Sequence, residues 1–346
     1  MSDYIHLFET QAAHDAVYNG STYTEPWVGL VTANGSVSYN VDYSKMPLTI
    51  EALEDGTLYL WYAEDFGENG YLEYSIDNGQ SWTRVTNVDG EYCEISTALT
   101  TGSKALIRGE NNCFGGESYG YVPDRMCGFD FGIGANTDKN LSRKQYNVSG
   151  NIMSLLFGSN FANKTSLPYL HDMTCFGSLF EDHAIVDAKN LILPATTLVE
   201  YCYAAMFRRC LNLVAAPKLP ATVLAEGCYD MMFQDCTPLT IAPELPATTL
   251  AKYCYMEMFH NCTSLTKAPD LPAENLANYC YYQMFSGNSS LNYIKCLATN
   301  ISTGSTESWL SSVSSTGTFV KNSSMTSWTT GTSGIPSGWT VQDAAL

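Results

Sequence analysis

Seven of the twelve cysteines in this 346-residue chain fall in two columns: Cys202, Cys228, Cys254 and Cys280 are 26 residues apart, and Cys210, Cys236 and Cys262 keep the same step. Thiols at that density could hold zinc, pair as disulfides, or pack protonated in a core. Zinc knuckles place two ligands two to four residues apart, whereas the spacings here alternate between 8 and 18. If the segment between them is helical, Cys254 and Cys262 lie about 12 Å apart along it, beyond disulfide reach. Buried free thiols are therefore the expected state, since cysteine packs as a compact hydrophobe. Disulfides and metal stand as alternatives.

A second candidate for chemistry is the octapeptide SIDNGQSW, Ser75 to Trp82. Asp77 can cap its own turn, Gly79 can take positive φ and Trp82 can pack under a hairpin. It resembles the Asp-box of sialidase-like folds, which implies a structural hairpin there and not a catalytic centre. A glycosidase would also need an acid/base carboxylate, a nucleophile and usually an arginine cluster in one pocket. No catalytic, cofactor or metal residues are assigned, and a carbohydrate-active enzyme rests on this box alone.

Charge narrows the partners. There are 35 acidic and 17 basic residues, a net charge of −18, and residues 1–150 carry 21 acids against 8 bases. Nucleic acid is excluded as an expected partner, because phosphate contacts need Lys and Arg in a patch. The first 30 residues have no basic stretch followed by an apolar run, and no segment approaches the ~18 apolar residues of a membrane span. The expectation is a chain without a signal peptide, made in a reducing compartment and not embedded in a membrane.

The elements that must position these residues follow from the repeat. Pro194, Pro220, Pro246 and Pro272 share the 26-residue step with Tyr203, Tyr229, Tyr255 and Tyr281, with Met206, Met232, Met258 and Met284, and with Phe207, Phe233, Phe259 and Phe285. The second cysteine column ends at Asn288; upstream, Cys175 and Phe180 align at a step of 27, and Phe157 is a fainter copy. Within a unit Leu250, Cys254, Met258 and Cys262 recur every four residues, which predicts a short helix buried on one side. The following SLTKAPDLP reads as a brief strand and a turn. Such units cannot bury a face alone, so a solenoid of stacked units is expected, with the Cys, Tyr, Met and Phe columns as core and the tyrosine hydroxyls at its rim.

Positions that differ between units are expected to be exposed, because packing does not dictate them. The candidate ligand face is Arg208, Arg209, Gln234, Asp235, His260 and Asn261, continuing to Ser286 and Gly287; a second variable set is Lys218, Glu244 and Asp270. A plain solvated surface is the competing reading.

Residues 46–148 carry short alternating runs such as TLYLWYA, YLEYSI and KALIRG between EDG, DNG and TTG turns, which predicts an antiparallel β-sandwich. The Gly- and aromatic-rich stretch 109–147 reads as a long loop. In residues 1–45, Tyr4, Phe8, Tyr18, Tyr23 and Trp27 exceed what so short a piece can bury in itself, and suit a segment that docks on another chain or packs back on the sandwich. The Ser/Thr/Gly-rich stretch 297–346 reads as a cap over the last unit. The expected domains are thus a docking segment 1–45, a sandwich 46–148, a solenoid 149–296 and a C-terminal cap 297–346.

The unit MFHNCTSLTKAPDLP resembles the BspA-like leucine-rich repeats, with a Phe, a Cys three residues on, a Leu three further and a Leu-Pro step. The whole chain, through YSIDNGQSW, GNIMSLLFGSNF, the LPATTLAxYCYxxMF units and the ending around TGTFVKN and GWTVQDA, resembles proteins encoded by crAss-like and related phages of gut Bacteroidales. That resemblance implies a virion surface, head-fibre or tail-associated component. The functional expectation is a non-enzymatic virion protein that docks on capsid or tail proteins through its N-terminal segment, forms a homo-oligomer, and displays the repeat face to host glycan or protein. A secreted BspA-like adhesin is the alternative.

Overall fold

The computed structural model describes residues 27–31, 37–63, 71–85, 92–110, 127–133, 142–168 and 175–345. Strand predominates over helix: β1 (Trp27–Val31), β2 (Val37–Val41), β3 (Leu48–Ala52), β4 (Gly56–Ala63), β5 (Tyr71–Ser75), β6 (Thr83–Arg84), β7 (Tyr92–Leu99), β8 (Lys104–Glu110), β9 (Cys127–Ile133), β10 (Ser142–Arg143) and β11 (Tyr146–Asn151) precede one four-residue helix, α1 (Ser154–Phe157). Then come β12 (Asn190–Ile192), β13 (Tyr293–Cys296), β14 (Gly317–Lys321) and β15 (Trp339–Asp343). No helix among the described residues is long and apolar enough to cross a membrane.

The sheets are ordered β1-β2, β10-β9-β4-β7, β12-β11-β3-β8-β5-β6 and β13-β14-β15. In the largest, β12 pairs parallel with β11 while β3 pairs antiparallel with it, so a strand from the repeats completes a sheet of the preceding region. Alternation explains the pairing faces: Leu48, Ile50 and Ala52 of β3, Leu58 and Leu60 of β4, and Phe129 and Phe131 of β9 are all buried. These residues share one apolar cluster with the repeats as far as Trp339.

The expected fold class, a β-sandwich followed by a leucine-rich-repeat solenoid of helix-plus-strand units, is overturned. Among the described residues the one α-helix lies before the four main units, and residues 201–209 and their counterparts are consecutive turns. The reason lies in where the amide hydrogens go. Alternate amides point to the next unit: Tyr201, Tyr203, Ala205, Phe207 and Arg209 donate to the carbonyls of Glu226, Cys228, Asp230, Met232 and Gln234 at 2.7–3.0 Å. The amides between them, of Cys202, Ala204, Met206, Arg208 and Cys210, donate three residues back within their own unit. An α-helix would direct every amide to the residue four back. Here half of the donors tie one unit to its neighbour, and no backbone group in the segment needs a helix to be satisfied.

Such a ribbon of turns needs one left-handed residue in four, and Tyr201, Ala205 and Arg209 have φ of 50°, 52° and 57°. Their counterparts include residues that tolerate this region: Gly227, Asp235, Asn261 and Gly287. Gly227 is also held by packing, since a Cβ there would stand 2.1 Å from Cε1 of Tyr201. The prediction of a brief strand per unit fails for a related reason. Pro217, Pro243 and Pro269 lack the amide donor a ladder needs, and the segments around them form at most isolated bridges such as Lys267 to Tyr293. The strands β12 and β13 form where Leu191 and Lys295 take the place of that proline.

The side-chain columns stack between turns. Tyr203, Tyr229, Tyr255 and Tyr281 follow one another at centroid spacings of 5.8, 5.9 and 6.2 Å, and Phe180, Phe207, Phe233, Phe259 and Phe285 at 5.2–5.7 Å. The tyrosine rings lie inside, not at a rim, and the Tyr203 hydroxyl is buried without a hydrogen-bond partner. The ladder runs past the expected boundary at 296: Tyr281 and Phe285 donate to the carbonyls of Ser305 and Trp309, and the Trp309 ring stacks on Tyr281 at 6.1 Å. Beyond it Trp328 stacks on Trp309 at 5.6 Å, beside the β13-β14-β15 sheet.

Among the described side chains, nine cysteines are buried free thiols. The Sγ of Cys210, Cys236 and Cys262 donate to the carbonyls of Phe180, Phe207 and Phe233 at 3.0–3.1 Å, each reaching into the preceding unit. Burial pushes the Cys228 thiol up to about 12, and Cys280 and Cys296 likewise. Thiolate, not thiol, attacks disulfide reagents. Titration of the native protein with such a reagent is expected to modify at most three of the twelve cysteines, and all twelve in guanidinium; fast reaction of more than three would show open thiols.

Where the column ends, Asn288 is fully buried with neither its Oδ1 nor its Nδ2 hydrogen-bonded. An unmet buried polar group costs about 1–3 kcal/mol. Asn288→Cys, similar in size and matching the S–H to carbonyl pattern of the three units before, is expected to raise stability by about 2 kcal/mol in chemical denaturation. An unchanged or lower midpoint would show that the asparagine is satisfied in solution.

Candidate functional site

The face proposed from the variable positions is built by the turns themselves. Each left-handed residue and the one before it project away from the buried Cys-Tyr and Met-Phe pairs, so equivalent residues align in columns on one side. One column reads Glu181, Arg208, Gln234, His260 and Ser286; its neighbour reads Asp182, Arg209, Asp235, Asn261 and Gly287. Backbone bonds fix the register directly, as Asp182, Arg209, Asp235 and Asn261 donate in turn to the carbonyls of Arg208, Gln234, His260 and Ser286.

All six expected face residues are half-buried. Arg209 makes two bonds to Asp182, at 2.6 and 2.7 Å, and its Nη2 lies 3.0 Å from Glu181. The Asp182 carboxylate beside it, foremost, holds the Arg209 guanidinium well above its ordinary pKa. Arg208 Nε lies 2.7 Å from Glu181 Oε1, and its Nη1 lies 3.8 Å from Met231 Sδ. Asn261 donates to Asp235 at 2.9 Å, and Gln234 to Glu257 Oε2 at 2.7 Å. Arg209 thus turns toward the first rung, Arg208 lies between Glu181 and Met231, Gln234 reaches the following unit, and Asn261 reaches back to Asp235. Lys218, Glu244 and Asp270 are exposed, Asp270 pairing with Lys295 at 2.8 Å.

Two residues missing from the sequence-based list define the centre of this face. Asp230 Oδ1 is buried without a hydrogen-bond partner, and burial, with Glu257 next in effect, pushes its carboxyl up to about 8 against the relief that Arg208 offers. Burial also raises Glu257, opposed by His260, Gln234 and Arg208. His260 Nδ1 is a further buried polar atom without a partner. The signal was available: Ala204, Asp230, Met256 and Tyr282, then Ala205, Met231, Glu257 and Gln283, vary between units as freely as the positions that were chosen. Asp230 and Gln234 are four apart and share a side in a helix as in these turns; that Glu257 of the next unit reaches Gln234 follows only from the stacking.

A second polar cluster joins the sheets to the first full turn. The Tyr146 hydroxyl and His183 Nδ1 are 2.6 Å apart, His183 Nε2 lies 3.6 Å from Asp130, and Arg143 reaches Asp130 at 3.1 and 3.4 Å. The carboxylate facing Nε2 favours a proton there, so that Tyr146 donates to Nδ1. Its order resembles a catalytic relay, yet Tyr146 and His183 are each 1% exposed. The ring lies edge-on to Phe129 and Phe180 at 5.7 and 6.2 Å, which makes the cluster a clamp between β9, β11 and the repeats.

The Asp-box forms the hairpin expected of it. Asp77 accepts from the Ser81 amide at 2.9 Å and from both hydroxyls of Ser75 and Ser81, Gly79 has φ of 84°, and Trp82 Nε1 donates to the Gly79 carbonyl at 3.2 Å. The Ser81 hydroxyl and amide, first among these bonds, hold the Asp77 carboxyl at about 2. Arg108 covers the Trp82 ring at 3.7 Å. Among the docking residues, Tyr4, Phe8, Tyr18 and Tyr23 lie outside the described residues; Trp27 opens β1, and its side chain is not described. Among the described residues no three His, Cys, Asp or Glu side chains converge as a metal site.

Comparison with protein-family models, with curated proteins and with solved structures found no match to this chain.

Proposed function

We propose that this chain is a non-enzymatic surface component of a bacteriophage virion, in which the polar turn face of the stacked units meets the host cell surface. The observation that carries the adhesive part is the aligned face from Arg208 to Asn261, where side chains change from unit to unit over an unvarying core and three buried polar atoms, Arg208 Nε, Asp230 Oδ1 and His260 Nδ1, lack hydrogen-bond partners. A face serving only as a solvated surface has no reason to bury polar atoms unmatched. The virion part is supported by the whole-chain resemblance described above, with the N-terminal segment docking on capsid or tail proteins and many copies binding together. Weak single contacts then sum through multivalency.

Cryo-electron microscopy and mass spectrometry of purified particles of the encoding phage test the location, with the chain expected at the particle surface and the 201–285 turns facing outward. Its absence from particles overturns the virion reading. Binding of the full chain to a glycan array tests the adhesive part separately.

A further inference from the structure

We propose that the free edge of β15 is a self-association site, at which two copies of this chain pair their β15 strands antiparallel about Val341; the inference is independent of the adhesive reading above. The sheet β13-β14-β15 is closed on one side only. β13 is bridged back to the repeats, Tyr293 to Lys267 and Cys296 to Leu271, whereas no strand among the described residues pairs with the far side of β15. Two bonds fix which way the backbone faces: the Thr318 amide donates to Asn292, on the β13 side, at 2.8 Å, and the Ala344 amide to Lys321 of β14 at 2.7 Å. Alternation from Ala344 turns Gln342 and Thr340 toward β14, so Val341 and Asp343 turn their amide and carbonyl groups outward. Trp339 faces the same way, its amide taken by the Pro336 carbonyl at 3.1 Å and its own carbonyl left at the edge.

The side chains point to a second copy as the occupant. The register puts Ile294, Phe319 and Val341 in one row across the sheet. Ile294 and Phe319 are fully buried and Val341 is 44% exposed, so the row lacks a neighbour at the edge. Residues 340–343 are all exposed and include no lysine or proline, the devices that usually blunt an edge strand. An antiparallel pair centred on Val341 sets Val341 opposite its own copy, Thr340 opposite Gln342 and Trp339 opposite Asp343. The two Val341 residues then exchange both of their bonds, and each Asp343 amide meets a Trp339 carbonyl. A two-fold axis through Val341 thus satisfies these groups with one and the same strand, as an isologous interface requires. The net charge of −18 does not oppose the pairing locally, because Asp343, the charged residue of the strand, is bonded to Lys321 at 2.5 Å. The contact is small, so the dimer is expected to be weak and dependent on concentration.

Sedimentation velocity of the full chain, over about a hundredfold range of concentration reaching about 0.2 mM, is expected to show monomer passing into dimer. Val341→Pro removes only an outward amide, and Val341→Lys sets two cations opposite each other. Each variant is expected to stay monomeric at the highest concentration while keeping the parent's circular dichroism and denaturation midpoint. Should the proline variant fail to fold, the lysine variant decides. Val341→Cys is expected to form a covalent dimer on oxidation with copper phenanthroline, since opposed residues in this pairing have Cα atoms about 5.5 Å apart, within disulfide reach. Thr340→Cys should not exceed the parent's background, because the stagger holds the two copies of that position about 8 Å apart. A parent monomeric throughout, a dimer that survives Val341→Lys, or equal cross-linking of both cysteine variants each overturns the assignment. In the first case the edge is left for a strand of another protein.

Discussion

Phe233→Ala is expected to destabilise the protein by about 3–5 kcal/mol, the cost of emptying a large, fully packed aromatic site. Phe233 is fully buried between Phe207 and Phe259, at 5.5 and 5.6 Å with the rings 9° from parallel in each pair. Its neighbours cannot close over the gap, because their spacing is set by backbone bonds from Phe207 to Met232 and from Phe233 to Met258, both 2.9 Å. The Phe233 carbonyl also receives the Cys262 thiol, so a shift of this turn loosens the next. Guanidinium denaturation measures the loss. As a control, Ile241→Ala, at a side chain 76% exposed, should change stability by no more than about 0.5 kcal/mol. Similar effects at both positions would show that the aromatic column does not hold the turns together.

Asp230→Asn should stabilise the protein, and by an amount that depends on pH. The Asp230 carboxyl is raised from 3.8 to about 8 in the folded protein. Below pH 4 the group is protonated whether folded or unfolded, and its contribution to stability is fully present. Between about pH 4 and 8 the unfolded chain releases the proton while the folded chain keeps it, so stability falls as pH rises; above 8 both forms are ionised and the loss is constant. This is the opposite sign from a carboxylate held low by hydrogen bonds, such as Asp77. The variant should therefore nearly match the parent at pH 4 and exceed it by about 5 kcal/mol at pH 8. Thermal or chemical denaturation of the pair across this range tests it, and a difference that does not vary with pH would mean that Asp230 is solvated.

Part of this arrangement was legible in the chain. The 26-residue identity of the Cys, Tyr, Met and Phe columns marked them as interior, and all four are buried in each main unit. The Asp-box octapeptide specified its own hairpin, because its bonds run among residues within four positions of one another. The polar face was half legible: variation between units pointed to Arg208 through Asn261, but Asp230 and Glu257 were missed. Their neighbourhood depends on the path of the backbone and not on the identity of the side chains.

The amino-acid sequence alone determined the repeat, its inward columns and the composition of the face turned outward, since each follows from hydrophobicity and spacing along one strand of chain. Only the tertiary structure decided that the four-residue stripe is a ribbon of turns and not a helix. Apolar residues four apart share a side in either conformation, and the two differ in the destination of alternate amide hydrogens. In this protein those amides find their acceptors 25 residues away, on a turn that exists only once the units have come together.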